Sequence, residues 1–102
     1  MYQIYMLRCE DNSIYTGITT NIQRRFNEHI NKDKKCAKYT KNHTVIKIER
    51  VWNTESRVLA SKLEYNIKKL GKIKKEELIK TNNLEPILGQ KIEIEKYITH
   101  KI

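Results

Sequence analysis

Two apolar segments at the start of the chain leave few ways for it to fold. Tyr2 to Cys9 is rich in Tyr, Ile, Met and Leu and contains neither Gly nor Pro. It reads as a strand with both faces at least partly covered. Glu10-Asp11-Asn12-Ser13 is a cluster of turn formers. Ile14 to Gly17 reads as a second, short strand, so the two segments form an antiparallel hairpin. Gly17 ends it where the backbone bends or comes close to another group.

The rest of the chain alternates between helical and extended patterns. Thr20 followed by Gln23 fits a capping box. Ile22, Phe26 and Ile30 then repeat at four-residue spacing and predict the buried stripe of a first helix. Asn31 to His43 is polar and lysine-rich, and is expected to be a loop. Thr44 to Trp52 alternates as a third strand. Thr54 is placed to cap a second helix with an apolar stripe of Leu59, Leu63, Ile67 and Leu70, and Gly71 stands where a C-terminal cap belongs. A third short helix is predicted over Lys74 to Lys80, ended by Asn82-Asn83 and Pro86. The tail from Gln90 to Ile102 fits a strand or a helix equally. The expected class is α+β, a small three-stranded, mostly antiparallel sheet flanked by helices. The first 84 residues form the main domain, and 85–102 are an extension packing on it.

Charge narrows the range of partners. Lys and Arg number 21 against 12 Asp and Glu, a formal net charge of +9. Such a domain attracts polyanions, nucleic acid before membrane surface. A lysine-rich composition inherited from an AT-rich genome would also raise this count. No run approaches the roughly 20 apolar residues of a membrane span, so no membrane association is expected. Cys9 and Cys36 make no disulfide framework. Met1 leads directly into a strand-like segment, so no signal peptide is expected and an intracellular, cytoplasmic location is. The two Cys and three His lack zinc-site spacing.

Several side chains could carry chemistry, though each has an ordinary explanation when taken singly. Tyr5 and Tyr15 fall on the two hairpin strands, where paired phenols can be cross-strand packing. Arg25 and His29 are spaced i, i+4 and share a face of the first helix, bordering its apolar stripe. Glu64 borders the stripe of the second helix; it can pair with Lys68 or bind a metal through hard oxygen.

Together these segments resemble a known family. Ile4-Tyr5-Met6, Ile14-Tyr15-Thr16-Gly17, Asn21 to His29 and Ala60 to Leu70 match the GIY-YIG nuclease superfamily in order and spacing. The likeness covers roughly residues 2 to 80 and is greatest to small single-domain bacterial and viral members. The nuclease half of the UvrC repair protein and phage homing endonucleases are more distantly similar. The first motif stands here as Gln3-Ile4-Tyr5, without its leading glycine, and the second as Tyr15-Thr16-Gly17. Lys38-Tyr39-Thr40-Lys41 resembles a basic Tyr-Thr element of the small members. Ile18 and Glu76 stand where some branches carry lysine and asparagine.

The resemblance implies a metal-dependent endonuclease acting on nucleic acid, DNA rather than RNA, with structure preference or low sequence specificity. Arg25 would be the catalytic arginine and Glu64 the ligand of one divalent cation, magnesium or manganese. Tyr5, Tyr15 or His29 would handle the proton of the attacking water. A phenol with a reference pKa near 10 must be depressed to act as a base at neutral pH. A metal and an arginine close by are expected to depress it. Lys35, Lys38, Tyr39, Lys41 and Lys68, with the lysines up to Lys75, would track the phosphate backbone. The alternatives are a non-catalytic nucleic-acid-binding module of the same fold, or a nuclease subunit that a protein partner must target.

Overall fold

The computed structural model describes residues 1–101; Ile102, the last residue of the tail, lies outside the described residues. The elements run β1 (Tyr2–Cys9), β2 (Ile14–Thr19), α1 (Ile22–Ile30), α2 (Lys38–Asn42), β3 (Val45–Thr54), α3 (Arg57–Lys68), α4 (Lys72–Thr81), α5 (Glu85–Leu88), a 3-10 turn (Ile94–Lys96) and β4 (Ile98–Thr99). The strands form one antiparallel sheet in the order β2-β1-β3-β4. The sheet therefore has four strands rather than three. The fourth is a two-residue edge strand from the tail, too short to leave a period in the sequence.

β1 lies inside the sheet, and strand alternation sends its side chains to two cores. Ile4 and Met6 point to one face, where they join Trp52, Ala60, Leu63, Ile67 and Leu78 beneath α3 and α4. Tyr5, Leu7 and Cys9 point to the other, with Val45, Val51 and Ile22, and Phe26 packs against them. Both faces are covered, which is why residues Ile4 to Cys9 are buried without a break. Between β1 and Ser13 the hairpin turn closes through Asn12 N–H to the Cys9 carbonyl at 2.9 Å. Asn12 takes a φ of 70°, a left-handed conformation that asparagine tolerates.

Several local expectations change. Asn21, not Thr20, caps α1, accepting from Arg24 N–H at 3.0 Å. Gln3 Oε1 accepts the Ile22 N–H at 2.8 Å and ties the helix start to β1. The stripe of α1 also shifts. Ile30 is exposed and His29 is buried in its place, because 100° per residue brings position 29, not 30, under Ile22. The lysine-rich loop contains α2. Ser56 caps α3, accepting from Leu59 N–H at 3.2 Å, while Thr54 ends β3 and donates to the Lys96 carbonyl. Gly71 starts α4 rather than ending α3, which closes at Lys69.

The tail packs on the same cores. Leu88, Ile92 and Tyr97 join the α3 face, and the Tyr97 hydroxyl donates to the Leu59 carbonyl at 2.7 Å. Glu76 is taken up structurally. Arg8 Nη1 and Nη2 fork onto its two oxygens at 2.6 Å each, while Arg8 Nε reaches Glu49 at 2.8 Å. Lys72 joins the same cluster, pairing with Glu76 and donating to the Asn12 carbonyl. Arg8 thus links β1, β3, α4 and the hairpin turn. No helix among the described residues is long and apolar enough to cross a membrane.

The hydrogen bonds from Arg8, with help from Lys72, hold the Glu76 carboxyl at about 2, below its ordinary 4.5. A depressed carboxylate contributes stability that is complete above the unfolded value near 4.5 and is lost as pH falls toward 2. Glu76→Gln should therefore lower stability at neutral pH by about 1 kcal/mol, since the side chain is partly exposed and Arg8 keeps Glu49. The gap from the parent should narrow as pH falls toward 2, as urea titrations across that range would report.

Candidate active site

The register of the hairpin builds the centre of the site. Tyr5 lies directly opposite Gly17, and Tyr15 opposite Leu7, so both phenols stand on the α1 face two positions apart. Their ring centroids are 6.2 Å apart. A Cβ added to Gly17 would sit 2.6 Å from Tyr5 Cζ and 3.1 Å from Tyr15 Cε2. Gly17 is needed because the Tyr5 ring lies on its backbone, not because of an unusual dihedral angle.

His29 reaches this pair from α1. Its ring centroid lies 5.8 Å from that of Tyr5 and 5.4 Å from that of Tyr15. The Tyr5 hydroxyl is 2.9 Å from His29 Nε2, and His29 Nδ1 is 2.7 Å from Thr40 Oγ1. The protons follow from the far end of the chain. Thr40 donates its only hydroxyl proton to the Ala37 carbonyl at 3.0 Å, so toward His29 it can only accept. Nδ1 therefore carries the proton, Nε2 offers a lone pair, and the Tyr5 hydroxyl donates to it. Tyr5, His29 and Thr40 are each at most 1% exposed, so water does not compete for these bonds.

Burial sets the protonation states. It pushes the Tyr5 phenol above its ordinary value, and the charge of a Tyr15 phenolate adds to this; Arg25 opposes without prevailing, and Glu64 also raises it. The expected depression of this tyrosine is thus reversed in the protein alone. Desolvation also lowers His29 from 6.5 to about 4, assisted by the Arg25 charge. The resting pair is a neutral phenol and a neutral imidazole.

Arg25 stands at the edge of this cluster, partly exposed. Its Nη1 donates to Glu28 Oε1 at 2.8 Å and to the Lys35 carbonyl. Glu64 comes from α3, whose apolar stripe packs on the opposite face of the sheet. α3 also packs against β2, the edge strand, so a border residue can reach the rim of the site. Glu64 pairs with Lys68 at 3.4 Å, and Lys68 Nζ lies 5.7 Å from the Tyr15 ring centroid. Tyr39 stacks on Tyr15 at 5.7 Å and on His43 at 4.0 Å. Lys38 and Lys41 lie on α2 and are exposed.

Among the described residues no three His, Cys, Asp or Glu side chains gather into a cluster. Glu64, whose partner here is Lys68, is a hard-oxygen donor; one such carboxylate could hold a magnesium ion only with waters and substrate phosphate completing the set. Thr40 and Glu28 went unassigned in the sequence. Glu28 was visible as an i, i+3 partner of Arg25, whereas the role of Thr40 depends on the placement of α2.

A hairpin carrying two tyrosines on one face, an arginine and histidine from the next helix, and a rim glutamate define a class. The chain belongs to the GIY-YIG family, whose catalytic-domain model matches residues 1–77; it carries a nuclease fold. Its relatives within that family are UPF0213 proteins. One from Fusobacterium nucleatum is 54% identical over 78 residues, covering 76% of each chain. One from Halobacterium salinarum is 38% identical over 78 residues, covering 76% of this chain and 99% of its own. The solution NMR structure of a UPF0213 protein from Bacillus halodurans aligns with a TM-score of 0.51 at 36% identity, covering 78% of this chain and 84% of that one.

Two outcomes follow from this packing. The unfolded chain protonates His29 near 6.5 and the folded one only near 4. The unfolded state therefore binds more protons in between, and stability should fall as pH drops through that window and be complete above it. Nitrogen-15 spectra of the histidines should show His29 as a single Nδ1–H tautomer down to about pH 5. Gly17→Ala should displace the Tyr5 ring and cost roughly 1–3 kcal/mol by overpacking, measured by urea denaturation, with loss of the slowly exchanging Tyr5 hydroxyl proton.

Proposed function

We propose that this chain is a divalent-metal-dependent endonuclease that hydrolyses phosphodiester bonds in nucleic acid, DNA rather than RNA. The observation that carries this reading is the Tyr5 hydroxyl, buried and donating to a neutral His29, with the Arg25 guanidinium close enough to shift both groups. A binding surface needs no such buried proton path.

Hydrolysis requires a water to lose a proton as it attacks phosphorus. Tyr5 is buried in the protein alone. In our reading Arg25, which lies against the Tyr5 hydroxyl, moves onto phosphate and opens that oxygen to the attacking water. The Tyr5 oxygen accepts the water's proton while its own passes to His29 Nε2. His29 then holds two N–H groups, with Nδ1–H kept on Thr40. Passing the proton on spares Tyr5 from existing as a buried phenolate, which its raised pKa disfavours. The imidazolium formed in its place is costly in the protein alone, because burial and Arg25 lower His29, and the negative charge of a bound phosphate would offset that cost. Tyr15 packs against His29 and limits its motion. Arg25 exchanges Glu28 for the non-bridging phosphate oxygens, which match its planar fork. A magnesium or manganese ion on Glu64, when bound, supplies further charge stabilisation at phosphate oxygens.

Lys35, Lys38, Lys41 and Lys68, with the Tyr39 ring, would hold the flanking backbone. Such contacts position a substrate without reading its sequence, so low sequence specificity is expected unless a protein partner adds targeting. Free, buried Cys9 and Cys36 are compatible with a reducing, cytoplasmic setting.

Glu64→Gln is the decisive variant. It should lower cleavage of labelled DNA by roughly two orders of magnitude or more, the loss of several kcal/mol of charge stabilisation. Binding in chelator should hold or tighten, because a carboxylate near a phosphate repels it. Arg25→Ala should weaken both binding and cleavage. Unchanged cleavage by Glu64→Gln would place the metal elsewhere. A wild type that binds but never cuts, with magnesium or manganese and any DNA or RNA form, would make the domain a binding module.

A further inference from the structure

A cavity of about 450 Å³ opens at the β2 edge of the sheet, between the start of α1 and the start of α3, and shares Arg25 with the tyrosine–histidine site. Four cations line it: Arg24 and Arg25 from α1, Lys35 from the loop that follows, and Arg57 from α3. One carboxylate faces them, Glu28, already shared by Arg25 at 2.8 Å and Arg24 at 3.9 Å. Among the described residues neither Lys35 nor Arg57 has a carboxylate within ion-pairing distance.

The stability of the fold gives no reason for this arrangement. Like charges around one cavity repel. Arg57 is the first residue of α3 and Arg24 lies in the first turn of α1, where cations oppose the helix dipole. Neither first turn contains an acidic residue to compensate. An anionic ligand removes both penalties at once. The half-buried Tyr2 and Ile18 give the cavity an apolar wall, and aromatic side chains are platforms on which any base can stack. The volume lies in the range of small-ligand pockets, enough for one nucleotide unit.

We propose that this cavity seats the phosphodiester next to the one that is cut. Arg24, Lys35 and Arg57 hold its oxygens, and Tyr2 with Ile18 meets the attached base. Arg25 belongs to both places, so a strand with one phosphate on Arg25 has its neighbouring unit at the cavity mouth. The assignment of that phosphate as a neighbour of the cut rests on the nuclease reading above.

The test is binding in chelator, where nothing is cut. A short labelled oligodeoxynucleotide of mixed sequence is titrated by anisotropy across a salt series, with Arg24→Gln, Arg57→Gln and Lys91→Gln compared to wild type. Lys91 lines a separate surface pocket with Glu85 and Gln90, so its variant makes the same charge change away from the cavity. Arg24→Gln and Arg57→Gln should each weaken binding about tenfold at low salt and reduce the log–log salt slope by about 0.7, while Lys91→Gln leaves both as they were. Equal losses in all three variants, or none in the two arginine variants, would overturn the proposal. A 5′-mononucleotide that binds as tightly as the oligonucleotide and depends on Arg57 would make the cavity a free-nucleotide site and overturn it as well. A wild type that binds through Arg24 and Arg57 yet cuts nothing would overturn the nuclease reading alone.

Discussion

The Tyr5 ring lying on the backbone of Gly17 is the contact from which the rest of the candidate site is measured. It exists because β1 and β2 pair in a register that sets these residues opposite each other. A slip of one residue would send Tyr5 to the α3 face. The ring also faces α1, from which His29 meets its hydroxyl. Residues on three elements, β1, α1 and α2, share one run of hydrogen bonds that ends on the Ala37 carbonyl. Every proton in that run is assigned by the one before it, because the last acceptor is a carbonyl that cannot donate.

The electrostatics follow from the same packing. Charge stands at the surface of the candidate site and neutral, buried groups stand just inside it. Tyr5 and His29 are buried and neutral. Arg25, Lys68 and the α2 lysines stand at the rim, where water still reaches them. Glu28 holds Arg25 in place without burying it further. The α4 side of the molecule uses its charges differently. There Arg8, Glu76, Glu49 and Lys72 are matched, and their network locks the hairpin turn to β3 and α4. The excess of lysine and arginine is thus not uniform; some of it is structural and some is left unpaired.

Much of the fold was legible from residue patterns. The unbroken apolar run of Tyr2 to Cys9 predicted a strand covered on both faces, and β1 lies inside the sheet with two cores. The motif residues Tyr5, Tyr15, Gly17, Arg25, His29 and Glu64 pointed to the family that the chain belongs to. Local errors share a cause, which is competition between near-equal choices that tertiary contact settles. Thr20 and Asn21 are both good caps, and Asn21 prevails where Gln3 takes the next N–H. Gly71 suits the end of one helix or the start of the next. Lys38 to Asn42 shows no apolar period, because a five-residue helix needs only one inward side chain, Thr40.

The sequence by itself determined the types of β1 to β3, α1, α3 and α4, the cover on both faces of β1, the family and the residues worth watching, because these depend on side-chain period, turn chemistry and motif spacing. By contrast, α2, the fate of the tail and the strand order did not show in it. Only the tertiary structure decided that His29 is buried and Ile30 is not, that Tyr5 donates to Nε2, that Thr40 sets the tautomer, and that Arg24, Lys35 and Arg57 converge on one cavity. Those facts arise where separate elements meet. A hydrogen-bond direction or a raised pKa depends on what excludes water from a group, and in this chain the excluding atoms lie ten or more positions away along the sequence, from Tyr5 to His29 and from His29 to Thr40.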